Sequence, residues 1–230
     1  MKKYKHLLFD LDRTLYDFDN NNRKTLEDVF GKHGLKEKGI PSFDDFFEVY
    51  KPINYNLWQQ YKRKVITKEK LNLSRFSKTL EVFGVNHGLE KDISEDYVSL
   101  SPLQTRLLPG AHEVLEYLQQ SYQLHIITNG FEEVQYMKIR RCGLEKYFTH
   151  IITSESAGAQ KPSPKIFDYT LEKIKAIPNE CLIIGDDPES DIRGALQAGI
   201  DQVWIAQPGE TSPIKPTYQI GNLDELRNIL

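Results

Sequence analysis

At 230 residues the chain is long enough to bury a substantial core, either as one large domain or as a core carrying an insertion. Hydrophobic residues make up 39% and charged residues 27%, a globular composition that excludes the disordered and fibrous classes. Thirty Lys and Arg against 33 Asp and Glu leave a formal charge of −3, so no overall basic field exists to recruit a nucleic-acid polymer or an anionic membrane.

The N-terminus is basic (Lys2, Lys3, Lys5), and its apolar run of Leu7, Leu8 and Phe9 stops at Asp10, too short for a signal peptide. No later stretch approaches the roughly 20 apolar residues that cross a bilayer. A cytoplasmic location is the expectation. Residues 5–9 read as a first buried strand. The interval that follows holds no convincing strand and several amphipathic patterns. Helices are predicted over 20–33, 55–64, 68–83 and 90–103. A further apolar stripe at Phe43, Phe46, Phe47 and Tyr50 has helical spacing that Pro52 should end or kink. The chain is expected to leave a core near Asp17 and return near Leu108-Pro109-Gly110, where Pro and Gly punctuate the next helix start. That gives a core of 1–16 with 109–230 and a helical insertion of 17–108. Beyond it, helices at 111–120, 132–142, 164–175 and 191–198 alternate with strands at 124–127, 150–153, 181–184 and 202–206. Such alternation predicts an α/β fold with right-handed crossovers and a parallel sheet covered on both faces. Cys142 and Cys181 fall in a helical and a strand pattern, which suits buried free thiols in a reducing compartment.

In open parallel sheets ligands bind outside the carboxyl ends of the strands, so the polar residues there carry the chemistry. The first strand ends in Asp10-Leu11-Asp12-Arg13-Thr14, the second in Thr128-Asn129-Gly130, and the fourth in Gly185-Asp186-Asp187 with Asp191 after it. Lys161 lies in Lys161-Pro162-Ser163-Pro164 between the third strand and its helix. Each piece alone has a plainer reading, the Asp pair as a turn or helix cap, Thr-Asn-Gly and Gly-Asp-Asp-Pro as turns and the lysine as solvated surface; all four in order, each after the appropriate strand, point to a site. Carboxylates converging on one sheet edge repel unless protonated or bridged by a cation, and a hard ion such as Mg2+ with oxygen ligands is the natural answer. Asp10 and Asp186 are the expected side-chain ligands, with the Asp12 carbonyl as a third. Opposite them, the Thr128 hydroxyl, the backbone N–H groups of Asn129 and Gly130, and the Lys161 cation form a cradle for phosphate. Carboxylates, metal and anion donors together match phosphoryl transfer. The partner is then a small phosphorylated metabolite, on a monomer or small homo-oligomer.

With these four motifs the chain resembles the haloacid dehalogenase superfamily over nearly its whole length. The resemblance implies a Rossmann-like core and an all-helical cap inserted between the first two motifs. It also implies magnesium dependence and an aspartyl-phosphate intermediate, with Asp10 as nucleophile and Asp12 as acid/base, taking and returning a proton. Asp12 points to phosphatases and phosphomutases rather than dehalogenases. Asp187 and Asp191 are expected to support the ligands or Lys161 by hydrogen bonding. Arg13 departs from the family, where many members carry glycine. The stretch from Leu57-Trp58-Gln59-Gln60-Tyr61 through Ile66-Thr67-Lys68-Glu69-Lys70-Leu71 to Arg75-Phe76 resembles pyrimidine and noncanonical nucleotide 5′-phosphatases. That implies a nucleoside monophosphate, with Tyr55, Trp58 and Tyr61 as stacking or core aromatics. Two alternatives stay open. A phosphosugar mutase of the β-phosphoglucomutase kind shares the core residues and returns the phosphoryl group to a sugar hydroxyl. A nonenzymatic phosphate-binding module would be expected to lack Asp10 or Asp12.

Overall fold

The structure, a computed structural model, describes residues 3–85 and 88–230. Met1 and Lys2, the first residues of the expected core segment and basic N-terminus, lie outside the described residues. The chain separates into two compact units. One joins the segment through Phe18 to Thr105–Leu230, and the other is Asp19–Gln104.

The first unit is built on a six-stranded parallel sheet of β1 (His6–Phe9), β2 (Gln123–Thr128), β3 (Phe148–Thr153), β4 (Cys181–Gly185), β5 (Asp201–Ile205) and β6 (Tyr218–Ile220). The spatial order is β3-β2-β1-β4-β5-β6, the doubly wound order whose reversal falls between β1 and β4. The strands read as continuous apolar runs because both faces are covered. Leu7 and Phe9 of β1 pack with Val114, Leu115 and Leu118 of α5 (Ala111–Leu118) and Ile139 of α6 (Glu132–Arg141). On the other face, Leu8 packs with Ile166 and Phe167 of α7 (Pro164–Ile174) and Ala195 of α8 (Arg193–Gln197). Each fully buried Leu, Ile or Phe contributes about 1.5–3 kcal/mol. The expected α/β core with a parallel sheet is therefore present. The sixth strand was not anticipated, since its three residues are too few to show a period.

The same face that holds Leu8 carries a row of histidines across three neighbouring strands. The rings of His6 and His125 stack with centroids 5.4 Å apart, as do those of His125 and His150. His125 is fully buried. Both cysteines are free and buried, and burial pushes the Cys142 thiol up to about 11 and that of Cys181 to about 12.

The second unit is helical: α1 (Phe18–Lys32, beginning at the boundary), α2 (Phe43–Lys62), α3 (Lys68–Val82) and α4 (Glu90–Leu100), closed by a short 3-10 turn at Ser101–Leu103. Ser42 and Thr67 cap α2 and α3, each hydroxyl accepting from the N–H three residues on. Leu26, Phe30, Phe46, Tyr50, Phe76, Leu80, Ile93 and Tyr97 form the core of this unit. Of the two outcomes expected at Pro52 the helix end does not occur: α2 runs through it as one helix, joining the two segments expected on either side. Proline forfeits one backbone hydrogen bond, and burial of Phe46 and Tyr50 before it and Leu57 after it holds the helix across the gap. A hollow of about 550 Å³, lined by Tyr55, Gln59, Gln60, Arg63 and Lys78 among others, opens on this unit. Among the described residues no helix is long and apolar enough to cross a membrane.

Candidate active site

The carboxyl ends of β1, β2 and β4 bring the sequence motifs together. Asp10 continues β1, its N–H donating to Ile184 O at 2.9 Å and so fixing it beside the end of β4. The chain then turns sharply, with Leu15 and Tyr16 N–H groups both donating to Leu11 O at 3.0 and 2.8 Å. Arg13 sits in this turn at φ +62°, in the left-handed region where glycine is at ease. That accounts for glycine being common there in the family the chain resembles. Arg13 tolerates the conformation with its guanidinium 4.8 Å from the Phe18 ring.

Lys161 is the hub. Its side chain is 2% exposed, and the ammonium donates to Asp10 Oδ1 at 2.6 Å, Asp191 Oδ1 at 2.6 Å and Ile127 O at 2.7 Å. Three donors meet three acceptors, which satisfies a group that is otherwise very costly to bury. Burial works against its charge, but the Asp10 and Asp191 carboxylates outweigh burial and hold its pKa above the ordinary lysine value. The loop carrying Lys161 is tied to the end of β2 by Asn129. Its Nδ2 donates to Lys161 O at 3.0 Å, and its Oδ1 accepts from Lys161 N–H at 2.8 Å. The Asn129 side chain therefore positions the lysine. The Gly130 N–H, expected to face a phosphate, is directed to Thr128 Oγ1 at 3.1 Å.

Asp186 follows β4, its backbone carbonyl held by the Trp204 indole N–H at 2.9 Å. Thr14 Oγ1 lies 3.4 Å from its Oδ1. Asp187 acts as the cap of the helical turn Pro188–Ile192, its Oδ1 accepting from the N–H groups of Glu189 and Ser190 at 2.9 and 3.2 Å. Its own N–H donates to Asp191 Oδ2 at 3.1 Å. Gly185 is required beside this group, because a Cβ there would lie 2.4 Å from Asp191 Oδ2.

Asp10, Asp186 and Asp191 each present a carboxylate oxygen, and these oxygens all lie within 4.8 Å of one another. Burial pushes Asp10 up to about 7 against the pull of Lys161, with Asp191 and Asp12 raising it further. Asp186 is raised well above the carboxylate range by burial, then by the charges of Asp10 and Asp191, with Arg13 opposing. One buried lysine does not balance this cluster. A hard, all-oxygen donor set under mutual repulsion fits a divalent cation such as magnesium. Both oxygens of Asp191 are engaged, by Lys161 and by the Asp187 N–H, whereas Asp10 meets Lys161 through Oδ1. This geometry favours Asp10 and Asp186 as ligands and Asp191 as the support of Lys161.

Two residues at the site escaped the sequence reading. The Asp12 side chain is clamped on both oxygens, by Lys138 Nζ at Oδ1 (2.6 Å) and Gln135 Nε2 at Oδ2 (3.0 Å). Both residues are buried on α6, three positions apart, and the Lys138 ammonium also lies 4.5 Å from the Tyr16 ring. A Gln and a Lys at helical spacing with Phe131 and Ile139, where apolar residues belong, was the available signal.

The sequence profile of the haloacid dehalogenase-like hydrolase family matches residues 7–205. The chain belongs to this family. It is an enzyme of that hydrolase class, and its full length aligns with named relatives. The HAD-hydrolase YfnB of Bacillus subtilis is 35% identical, with 100% of this chain and 97% of YfnB covered. The pyrimidine 5′-nucleotidase PynA of Streptococcus pneumoniae is 34% identical (99% and 95% covered), and the pyrimidine 5′-nucleotidase YjjG of Escherichia coli is 32% identical (99% and 98%). A solved structure of YfnB bound to magnesium superposes with a TM-score of 0.89 at 34% identity, covering 100% of this chain and 99% of that one.

Proposed function

We propose that the protein is a magnesium-dependent phosphomonoester hydrolase that works through an aspartyl-phosphate on Asp10. The observation that carries this reading is the buried Asp10–Lys161–Asp191 group at 2.6 Å contacts, with the Asp186 carboxylate beside it. Asp10 attacks the phosphorus, and the bond to the ester oxygen breaks. Asp12 gives its proton to that leaving oxygen, then takes one from the water that attacks the phosphorus of the acyl phosphate. Free phosphate leaves and the Asp10 carboxylate is restored. Lys161 and the Thr128 hydroxyl stabilise charge on the transferring oxygens throughout. Held by Asp10, Asp186 and the Asp12 carbonyl, magnesium would supply the electrostatic screening that lets an anionic carboxylate approach an anionic phosphate.

Nucleoside 5′-monophosphates are the proposed substrate class. Support comes from PynA and YjjG, whose names record pyrimidine nucleotidase activity, and from the hollow on the helical unit, where Tyr55, Gln59, Gln60 and Arg63 offer an aromatic face, amides and a cation. Trp58 and Tyr61 pack edge-to-face with each other, centroids 5.7 Å apart. The role of 17–108 as a cap that keeps bulk water from the acyl phosphate belongs to the same proposal. So does a cytoplasmic location, for which the buried free thiols of Cys142 and Cys181 are the support.

The test is a phosphate-release screen over nucleoside monophosphates, sugar phosphates and p-nitrophenyl phosphate, with magnesium and with chelator. Release from nucleotides that stops on chelation is expected. Isomerisation of a sugar phosphate without phosphate release would replace the hydrolase reading with a mutase.

A further inference from the structure

Gln135 is fully buried on α6 and belongs to none of the strand-end motifs. A neutral amide in that position is costly unless its hydrogen bonds compensate. Its Nε2 has two hydrogens, and they reach Thr128 Oγ1 at 2.7 Å and Asp12 Oδ2 at 3.0 Å. The flipped amide would set Oε1 against the Asp12 carboxylate, so charge selects this orientation. Oε1 is left buried with no hydrogen-bond partner among the described residues, a cost accepted in exchange for the two donor contacts.

The consequence falls on Thr128. A hydroxyl has one hydrogen to give and two lone pairs to fill. The Gly130 N–H at 3.1 Å and Gln135 Nε2 at 2.7 Å fill both lone pairs. Only the hydroxyl hydrogen remains to Thr128, and it needs an acceptor outside this group. Gly130 leaves room for the arrangement, since a Cβ there would lie 2.4 Å from the Gln135 amide.

We propose that Gln135 is a positioning residue for the phosphoryl transfer. By occupying the Thr128 oxygen it makes that hydroxyl an obligate donor to the substrate phosphoryl group, and by holding Asp12 Oδ2 it ties the acid/base carboxylate to the same anchor. The proposal rests on the phosphomonoesterase reading above.

The test uses the full-length enzyme with magnesium and p-nitrophenyl phosphate. Q135M keeps the side-chain bulk and removes both donors; kcat/KM should fall about ten- to a hundredfold, with weaker inhibition by inorganic phosphate. In a T128V background the same substitution should cost less than about threefold, because its principal target is gone. Equal losses in the two backgrounds would mark a general packing defect and overturn the proposal. Q135E is isosteric and presents a carboxylate that accepts the Thr128 hydrogen and repels Asp12, so it should be slower still than Q135M. A Q135E enzyme as fast as wild type overturns the proposal as well, and this variant decides the matter if Q135M does not fold. Wild-type protein that releases no phosphate would sink the underlying reading. Turnover that D10N abolishes and neither Gln135 variant slows would sink the role of Gln135 alone.

Discussion

Replacing Gly185 with alanine adds one methyl group at a crowded point of the candidate site. The new Cβ would lie 2.4 Å from Asp191 Oδ2, 2.5 Å from its Cγ and 2.6 Å from its Cβ. Non-bonded carbons rest at about 3.5–4.0 Å, so the two groups must separate by roughly 1 Å. The backbone of Gly185 is in ordinary strand conformation, and the effect is therefore steric rather than conformational. Asp191 cannot yield freely, because it is buried and holds Lys161 at 2.6 Å and the Asp187 N–H at 3.1 Å. A displacement of roughly 1 Å takes both contacts beyond about 3.5 Å, where hydrogen bonding fails. Lys161 then loses one of its two carboxylate partners and drifts from Asp10. Misplacement on that scale costs about a hundredfold in kcat/KM, and overpacking costs about 1–3 kcal/mol of stability. Phosphate release and urea unfolding measured on the same preparation check both figures. A G185A enzyme with wild-type kcat/KM would refute the reasoning, because Asp191 would then be shown not to position Lys161.

Two further outcomes follow from parts of the fold remote from the chemistry. Pro52→Ala should stabilise the protein by about 1–3 kcal/mol in urea unfolding, since it restores a backbone hydrogen bond within α2 and removes a ring clash. The histidine row should make stability fall in acid. Burial, then the neighbouring His6 and His150, lowers His125 to about 3, so the folded chain keeps it neutral while the unfolded chain protonates it below about pH 6.5. The unfolded state therefore binds more protons between those values, and stability is lost as pH falls through that window, by about 5 kcal/mol at its end. H125Q should flatten the difference between urea midpoints taken near pH 7 and near pH 5; an unchanged difference would remove His125 as its source.

Much of this molecule was legible in its residues because one signal repeats. Continuous apolar runs that each end in polar residues gave the parallel sheet and the edge where Asp10, Thr128 and Asp186 meet, since a strand buried on both faces tolerates polar groups only where it ends. What stayed hidden depends on contacts distant in sequence. Gln135 and Lys138 read as an ordinary polar helix surface until α6 is seen to bury them beside Asp12, more than a hundred residues earlier in the chain. Asn129 was read as a backbone donor, whereas its side chain spans to Lys161 across the next strand. Asp187, expected to support a ligand or Lys161, caps the turn Pro188–Ile192 with its carboxylate while its N–H holds Asp191, a pairing no local pattern shows. Pro52 was weighed on local cost alone, and the burial of aromatic residues in the same helix overrode it. Arg13, unusual by family pattern, became intelligible only with its backbone angle in hand.

The role of Asp10 as nucleophile is tested most directly by acid-quenching the Asp12→Asn enzyme during turnover and weighing its peptides. The account predicts one phosphoryl group on the peptide containing Asp10, absent when Asp10 is also changed to Asn. Full phosphate release by an Asp10→Asn enzyme, with no phosphorylated peptide at any stage, would contradict it.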